Sequence, residues 1–196
     1  MDLMLVAEDE LSMAVMRRLL SASGRGFRIY APIVTGGVDA IRLKIPVYRN
    51  ACHVLPHVVL VDLDRTACAP TLLKTWGLEV RPASLLFRVV VRTVEAWLIA
   101  DAVGLAAELL VAQVKVPARP EDLEHPKREL VNLARRSRSR RLAAEIAPAP
   151  GSRANVGPKY NARLCDFVLN RWDPFRAAAR APSLAKAMHR LDGFMR

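Results

Sequence analysis

Cysteine is scarce in this chain: 196 residues hold Cys52, Cys68 and Cys165 and no others. An odd, widely spaced set argues against a disulfide framework and against a zinc ribbon, and for a reducing, cytoplasmic setting. Long apolar runs are missing too, since none reaches the roughly 18 residues that suggest a membrane span. The opening "MDLMLVAEDE" has an early acid and a short apolar run but no basic segment, so no signal peptide is expected. No Gly-x-x-x-x-Gly-Lys loop occurs, which excludes ATP binding of that kind. Internal repeats are absent, and no residue pattern supplies a partner for cysteine catalysis. His53 and His57 have the spacing of a helical metal pair, but Pro56 lies between them and breaks that geometry. Aromatic residues make up 6%, and Trp97 and Trp172 sit in apolar helical settings that suit a core better than a base-stacking platform.

Acidic residues are outnumbered. The net charge is +11, while 52% of residues are hydrophobic, enough for a sizeable core. Residues 1–98 hold 12 basic and 9 acidic side chains, and residues 99–196 hold 18 and 10. The basic excess therefore lies mostly in the second half, and the conspicuous acid pairs lie in the first. A basic surface beside an acidic pocket suits a polyanionic substrate held by cations and processed through metal ions. The run "RRSRSRR", Arg135 to Arg141, is the closest approach to low complexity and reads as a solvated face or a nucleic-acid contact.

Apolar patterning predicts strands over "DLMLVA", "RIYAPIV", "HVVLVDLD" and "LLFRVVVR". The third is unbroken rather than alternating, as a central parallel strand covered on both faces should be. Helices are expected from Leu11 with Ser12 as a cap, from Val38 to Tyr48, and over "TVEAWLIADAVGLAAELL" with Thr93 as its cap. Beyond Val111 no strand signal is convincing. "RELVNLARRSRSRRLAAEI" is helical in pattern, and shorter helices follow the loop "APAPGSRANVGPKYN". The predicted fold is therefore α/β: an open, mostly parallel sheet flanked by helices, with a helical C-terminal part. Residues 1–112 form the α/β core, and residues 113–196 form a basic, mainly helical extension packed on it.

In an open parallel sheet, ligands sit beyond the carboxyl ends of the strands. The first strand delivers Glu8, Asp9 and Glu10 to that edge, and the third delivers Asp62 and Asp64. With a period of two, Asp62 and Asp64 point the same way if both remain on the strand. Like carboxylates held close are costly without a cation between them, and hard oxygen ligands suit Mg²⁺ or Mn²⁺. Pairing with Arg65 or Arg92 is the structural alternative. Arg65, Arg92, Lys127 and Lys159 are the candidate substrate-binding cations, with Arg163 a further basic neighbour in sequence.

These motifs resemble a known set. "LMLVAEDELSMAVMRRLL" looks like the first Toprim motif, and "VVLVDLDR" looks like its Asp-x-Asp motif. "VRTVEAWLIAD", "HPKREL", "APSLAKAMHRL" and "TGGVDAIRLKI" resemble, more specifically, an uncharacterised Toprim-like family, domain of unknown function 4276. The resemblance implies a Toprim-like fold and a metal-dependent nuclease, or a subunit of one. It implies Glu8 as general acid/base or metal ligand, and Asp62 and Asp64 as ligands of Mg²⁺ or Mn²⁺ against a phosphodiester. It makes Glu95 a further catalytic carboxylate, with Asp101 closing the same run. Proteins of this kind often accompany an AAA-type ATPase in anti-phage defence, which implies such a partner alongside nucleic acid. One departure stands out: the family's Glu-Gly-x-Thr-Glu is replaced by Glu8, Asp9, Glu10, Leu11 and Ser12.

Two other classes compete. A non-catalytic subunit would use the basic half to bind nucleic acid or a partner. A receiver-like signalling domain would use Asp62 as phosphoacceptor, although no Met-Pro pair follows that aspartate and "VEAWLIAD" has no place in a receiver.

Overall fold

The computed structural model describes residues 1–195. Four strands form one sheet: β1 (Asp2–Ala7), β2 (Arg28–Val34), β3 (His57–Asp62) and β4 (Leu85–Val90). Their order is β2-β1-β3-β4, and all three pairings are parallel. This is the α/β architecture expected, with the sheet wholly parallel. β3 is an interior strand, and Val58 to Val61 are buried on both faces, as its unbroken apolar run predicts.

Successive residues of β3 serve different cores. Val58 and Leu60 join Leu3, Leu5 and Leu86 under α1 (Glu10–Ala22). Val59 and Val61 join Phe87 and Val89 under α2 (Val38–Leu43), α3 (Ile45–Ala51) and α4 (Ala69–Thr75). The first of these cores continues without a break into the C-terminal helices, through Trp97, Leu130, Phe167, Trp172 and Leu184. Both tryptophans are fully buried, in keeping with a core role. No helix among the described residues is long and apolar enough to cross a membrane.

Four boundaries differ from the sequence reading, each for a local reason. Helix α1 is capped by Asp9, whose carboxylate accepts the Ser12 N–H at 2.8 Å; Ser12 is the recipient of the cap. The segment from Val38 is two helices, because Pro46 in the first turn of α3 starts a new helix after Lys44. The long helix expected from Thr93 breaks at Asp101 into α5 (Val94–Ala100) and α6 (Ala102–Leu109). Asp101 accepts the Gly104 N–H and so caps the second piece, while the Thr93 hydroxyl donates to Glu95 instead of capping backbone. The basic helical stretch divides likewise into α7 (Pro126–Arg135) and α8 (Arg140–Ile146), the latter capped by Ser139. Three further helices complete the chain: α9 (Tyr160–Asn170), α10 (Pro174–Ala178) and α11 (Pro182–Asp192).

Helix α5 is the hub where the quoted motif segments meet. All seven of its residues are buried. The Trp97 indole donates to the Ser183 hydroxyl at 2.7 Å, joining "VEAWLIAD" to "APSLAKAMHRL". Lys127 of "HPKREL" lies 3.4 Å from Glu95. Asp101, fully buried, receives both faces of the Arg176 guanidinium fork at 2.9 Å, together with the Asp173 N–H.

Candidate active site

The carboxyl ends of β1 and β3 place Glu8 and Asp62 side by side. The Glu8 Oε1 accepts the backbone N–H of Asp62 at 2.7 Å. Burial, with the neighbouring charges of Asp64 and Asp9, pushes the Glu8 carboxyl up to about 7, against the opposing pull of that hydrogen bond and of Lys127. Burial also raises Asp62 well above the ordinary carboxylate range, helped by the charges of Glu95, Glu8 and Asp64. The Oδ1 of Asp62 is buried and has no hydrogen-bond partner. A buried acceptor left without a donor is uncommon in a folded chain and calls for an explanation.

Asp64 reaches the same edge by a different route from the one expected. Strand β3 ends at Asp62, and Asp64 adopts the left-handed conformation, φ +49°. The two aspartates therefore do not alternate on one strand face. Aspartate tolerates this conformation better than most residues because its short polar side chain can hydrogen-bond locally. The turn is pinned from β4: the Asp64 N–H donates to the Arg92 carbonyl at 3.0 Å, and Arg92 Nη1 donates back to the carbonyls of Asp64 and Thr66. Burial raises the Asp64 carboxyl, while the Lys127 charge opposes the rise.

Glu95 is the most completely engaged of the four acids. It is 1% exposed at the start of α5. Its Oε2 accepts the Thr93 hydroxyl at 2.6 Å, its Oε1 accepts the Tyr160 hydroxyl at 2.9 Å, and the Lys127 ammonium lies 3.4 Å away. Burial pulls the Lys127 ammonium down, but the charges of Glu95, Asp9 and Asp62 outweigh it and leave the group raised. Burial and the Glu95 charge likewise drive the Tyr160 phenol far up, so it stays a donor. Tyr160 was not foreseen: "GPKYN" carries no pattern that marks its tyrosine as a partner of a residue 65 positions earlier.

A cleft of about 1020 Å³ opens beside this edge. Asp64, Arg65, Arg92 and Lys127 line it, joined by Arg128 and Arg135. Three of the four candidate substrate-binding cations thus share one cleft. Lys159 is directed elsewhere, because its ammonium pairs with Glu145 at 3.0 Å. Arg163 and Arg141 converge on the same carboxylate, and the hydrogen bonds from Lys159, Arg163 and Arg141 hold Glu145 down at about 2. That cluster ties α8 to α9. Asp101 is also outside the site, as its pairing with Arg176 and its break of the helix require.

Comparison with protein-family models, with curated proteins and with solved structures returned no match. The donor set of the site is hard oxygen, and the partnerless Asp62 Oδ1 beside Glu8 fits a divalent cation such as Mg²⁺. Among the described residues, no three His, Cys, Asp or Glu side chains are already drawn together as a ligand group.

Proposed function

We propose that the protein is a Toprim-like, metal-dependent nuclease, or the nuclease subunit of a larger assembly, acting on phosphodiesters. The observation that carries this reading is the buried, partnerless Asp62 oxygen beside Glu8, on the same sheet edge as Asp64, which lines a cleft of arginine and lysine. An orphaned carboxylate oxygen among other acids suits a cation, and a basic wall next to it suits a phosphate backbone.

Glu8, Asp62 and Asp64 would hold the ion. When bound, Mg²⁺ or Mn²⁺ supplies Lewis-acid polarisation of a phosphoryl oxygen and lowers the pKa of a coordinated water. The chain's own residues do the rest. Arg65, Lys127, Arg128 and Arg135 neutralise the substrate backbone along the cleft. Arg92 spends its guanidinium on the turn and so keeps Asp64 beside Asp62. Where Asp62 and Asp64 alone hold the ion, Glu8, its carboxyl raised to about 7 by burial, would take or return a proton instead of coordinating. Glu95, tied by Thr93 and Tyr160, anchors Lys127 between the acids and the cleft.

The test is cleavage of single- and double-stranded DNA and RNA with Mg²⁺ or Mn²⁺, comparing wild type with Glu8→Gln and Asp62→Asn. Loss of metal-dependent cleavage in both variants supports the assignment, and cleavage that survives both changes removes it. A second reading follows from Lys127, which already supplies a cation to the acidic edge. In that case the chain is a non-catalytic, nucleic-acid-binding subunit working with an AAA-type ATPase in the cytoplasm. Salt-dependent binding without cleavage by the isolated chain, and cleavage by the assembled complex that survives Glu8→Gln and Asp62→Asn, distinguishes it.

A further inference from the structure

A second large cavity lies away from the carboxylate edge. It has a volume of about 1060 Å³ and opens at the N-terminal end of β4, between the segment that leads into that strand and the end of α11. Arg81, Arg88 and Arg190 line it. Among the described residues, none of these guanidiniums has a carboxylate within ion-pair distance, although Glu79 and Asp192 also line the cavity. Some arginines elsewhere are matched to acids, among them Arg28 to Asp2, Arg176 to Asp101 and Arg171 to Glu108.

Arg88 is the informative member. It lies in the interior of β4, two residues from Leu86 and from Val90, on the sheet face that packs against α1. It shares an apolar pocket with Met16, Leu20, Leu60 and Leu191 and also lines the cavity. The Nε of this guanidinium is buried with no hydrogen-bond partner. A charged donor left bare at such a depth costs more than a neutral one, so its retention requires a use. Burial, and then the charges of Arg81 and Arg190, hold Arg88 below the ordinary arginine value, so the three cations act on one another.

The surroundings hold the cluster in place. Arg81 Nη1 donates to the Leu78 carbonyl at 2.7 Å, which orients its side chain. Arg25 donates from its Nη1 to the carbonyls of Asp192 and Phe194 at 2.9 and 2.6 Å, which fixes the end of α11 and with it the backbone that carries Arg190. A single carboxylate would match one guanidinium fork. Three forks facing one cavity suit an anion with several oxygens and more than one charge.

We propose that this cavity is a second anion site, separate from the carboxylate edge, that takes a phosphoryl-bearing ligand on Arg81, Arg88 and Arg190. The source of the phosphoryl group is either a free anion or the end of a nucleotide, and the two share this chemistry.

Calorimetric titration of the full chain at low salt tests the site, with pyrophosphate, adenosine monophosphate and a 5′-phosphorylated oligonucleotide as probes. The double variant Arg81→Gln/Arg190→Gln alters two side chains at the cavity rim and leaves Arg88 in place. It should weaken pyrophosphate binding about tenfold or more, the loss expected for charge-assisted hydrogen bonds. Arg65→Gln/Lys127→Gln, in the other cleft, is the comparison that locates the loss, and Arg119→Gln, at an exposed arginine paired with Asp122, should leave that affinity unchanged. Tighter binding of the nucleotide probes assigns the site to a nucleotide end, and tighter binding of pyrophosphate assigns it to a free anion. Three outcomes overturn the proposal: no phosphate probe binds the wild type, the rim variant binds as the wild type does, or the loss follows Arg65 and Lys127. Since the readout is equilibrium binding without a divalent metal, it stands apart from success or failure of the nuclease test.

Discussion

The carboxylate of Glu8 accepts the backbone N–H of Asp62 at 2.7 Å, joining the ends of two adjacent parallel strands. That one bond commits an oxygen of Glu8 to the backbone while leaving Asp62 Oδ1 buried without any donor. The edge of the sheet therefore holds more negative charge than its own hydrogen bonds satisfy.

Stability should fall as pH rises through this edge. The Glu8 carboxyl is raised to about 7, and Asp62 is raised in the same direction. Between the ordinary carboxylate range and pH 7, the folded chain holds protons that the unfolded chain has released, so the slope of stability against pH is negative there. At about 1.4 kcal/mol per pH unit, Glu8 accounts for a loss on the order of 3 kcal/mol across that window. Urea unfolding at pH 5 and pH 8 in the presence of chelator checks this. Glu8→Gln should flatten the difference, and an unchanged difference would show that the decline arises elsewhere.

Divalent cation should reverse that loss. Mg²⁺ or Mn²⁺ binds the ionised carboxylates, so it should raise the melting temperature at pH 8 and have little effect at pH 5. Asp62→Asn removes a charge and gives the buried site a donor. It should stabilise the metal-free chain at pH 8 and abolish the metal-induced rise. A rise that persists in Asp62→Asn would move the metal away from this acid.

Lys127 offers a separate test through salt. It lines the basic cleft and also faces Glu95. Lys127→Gln should weaken nucleic-acid binding across all sequences and reduce the slope of log affinity against log salt by about one. An unchanged slope in a filter-binding or anisotropy series would place the backbone on some other surface.

Breaking the pair beneath α5 should be costly for the fold. Asp101 is fully buried and loses its bidentate partner in Arg176→Ala, keeping only the Gly104 and Asp173 N–H donors. A charge left unpaired at such a site costs about 3 kcal/mol or more. Chemical denaturation measures it, and a cost under about 1 kcal/mol would mean that the pair behaves as a surface contact.

Gly104 should resist enlargement for the same local reason. A methyl group there would lie 2.2 Å from Asp101 Oδ2, the oxygen that receives Arg176. Gly104→Ala should therefore destabilise the chain despite the better helix propensity of alanine. A gain in melting temperature would contradict the close approach.

Much of the scaffold was legible because strand patterning is local. The runs Asp2–Ala7 and Arg28–Val34 read as strands from side chains that need only their neighbours to declare a pleated segment. The arrival of Glu8 and Asp62 at one edge followed from the same logic, since parallel strands bring their carboxyl ends together. The helix from Thr93 was read as continuous because nothing nearby marks Asp101 as a cap. Its partner Arg176 lies 75 positions away, and only packing brings the two together. Asp64 looked like a strand residue because the period of two gives no sign of where pairing stops.

The sequence by itself determined an α/β chain with acids at the strand ends and a basic second half, since periodicity and charge are written residue by residue. Tertiary structure alone decided which charges are satisfied. Glu95 is matched by Tyr160 and Lys127, Lys159 is drawn off to Glu145, Asp62 keeps a bare oxygen, and Arg88 keeps a bare guanidinium nitrogen. The reason is physical: burial and partnership depend on distances between residues far apart in the chain, and these exist only once the core has packed.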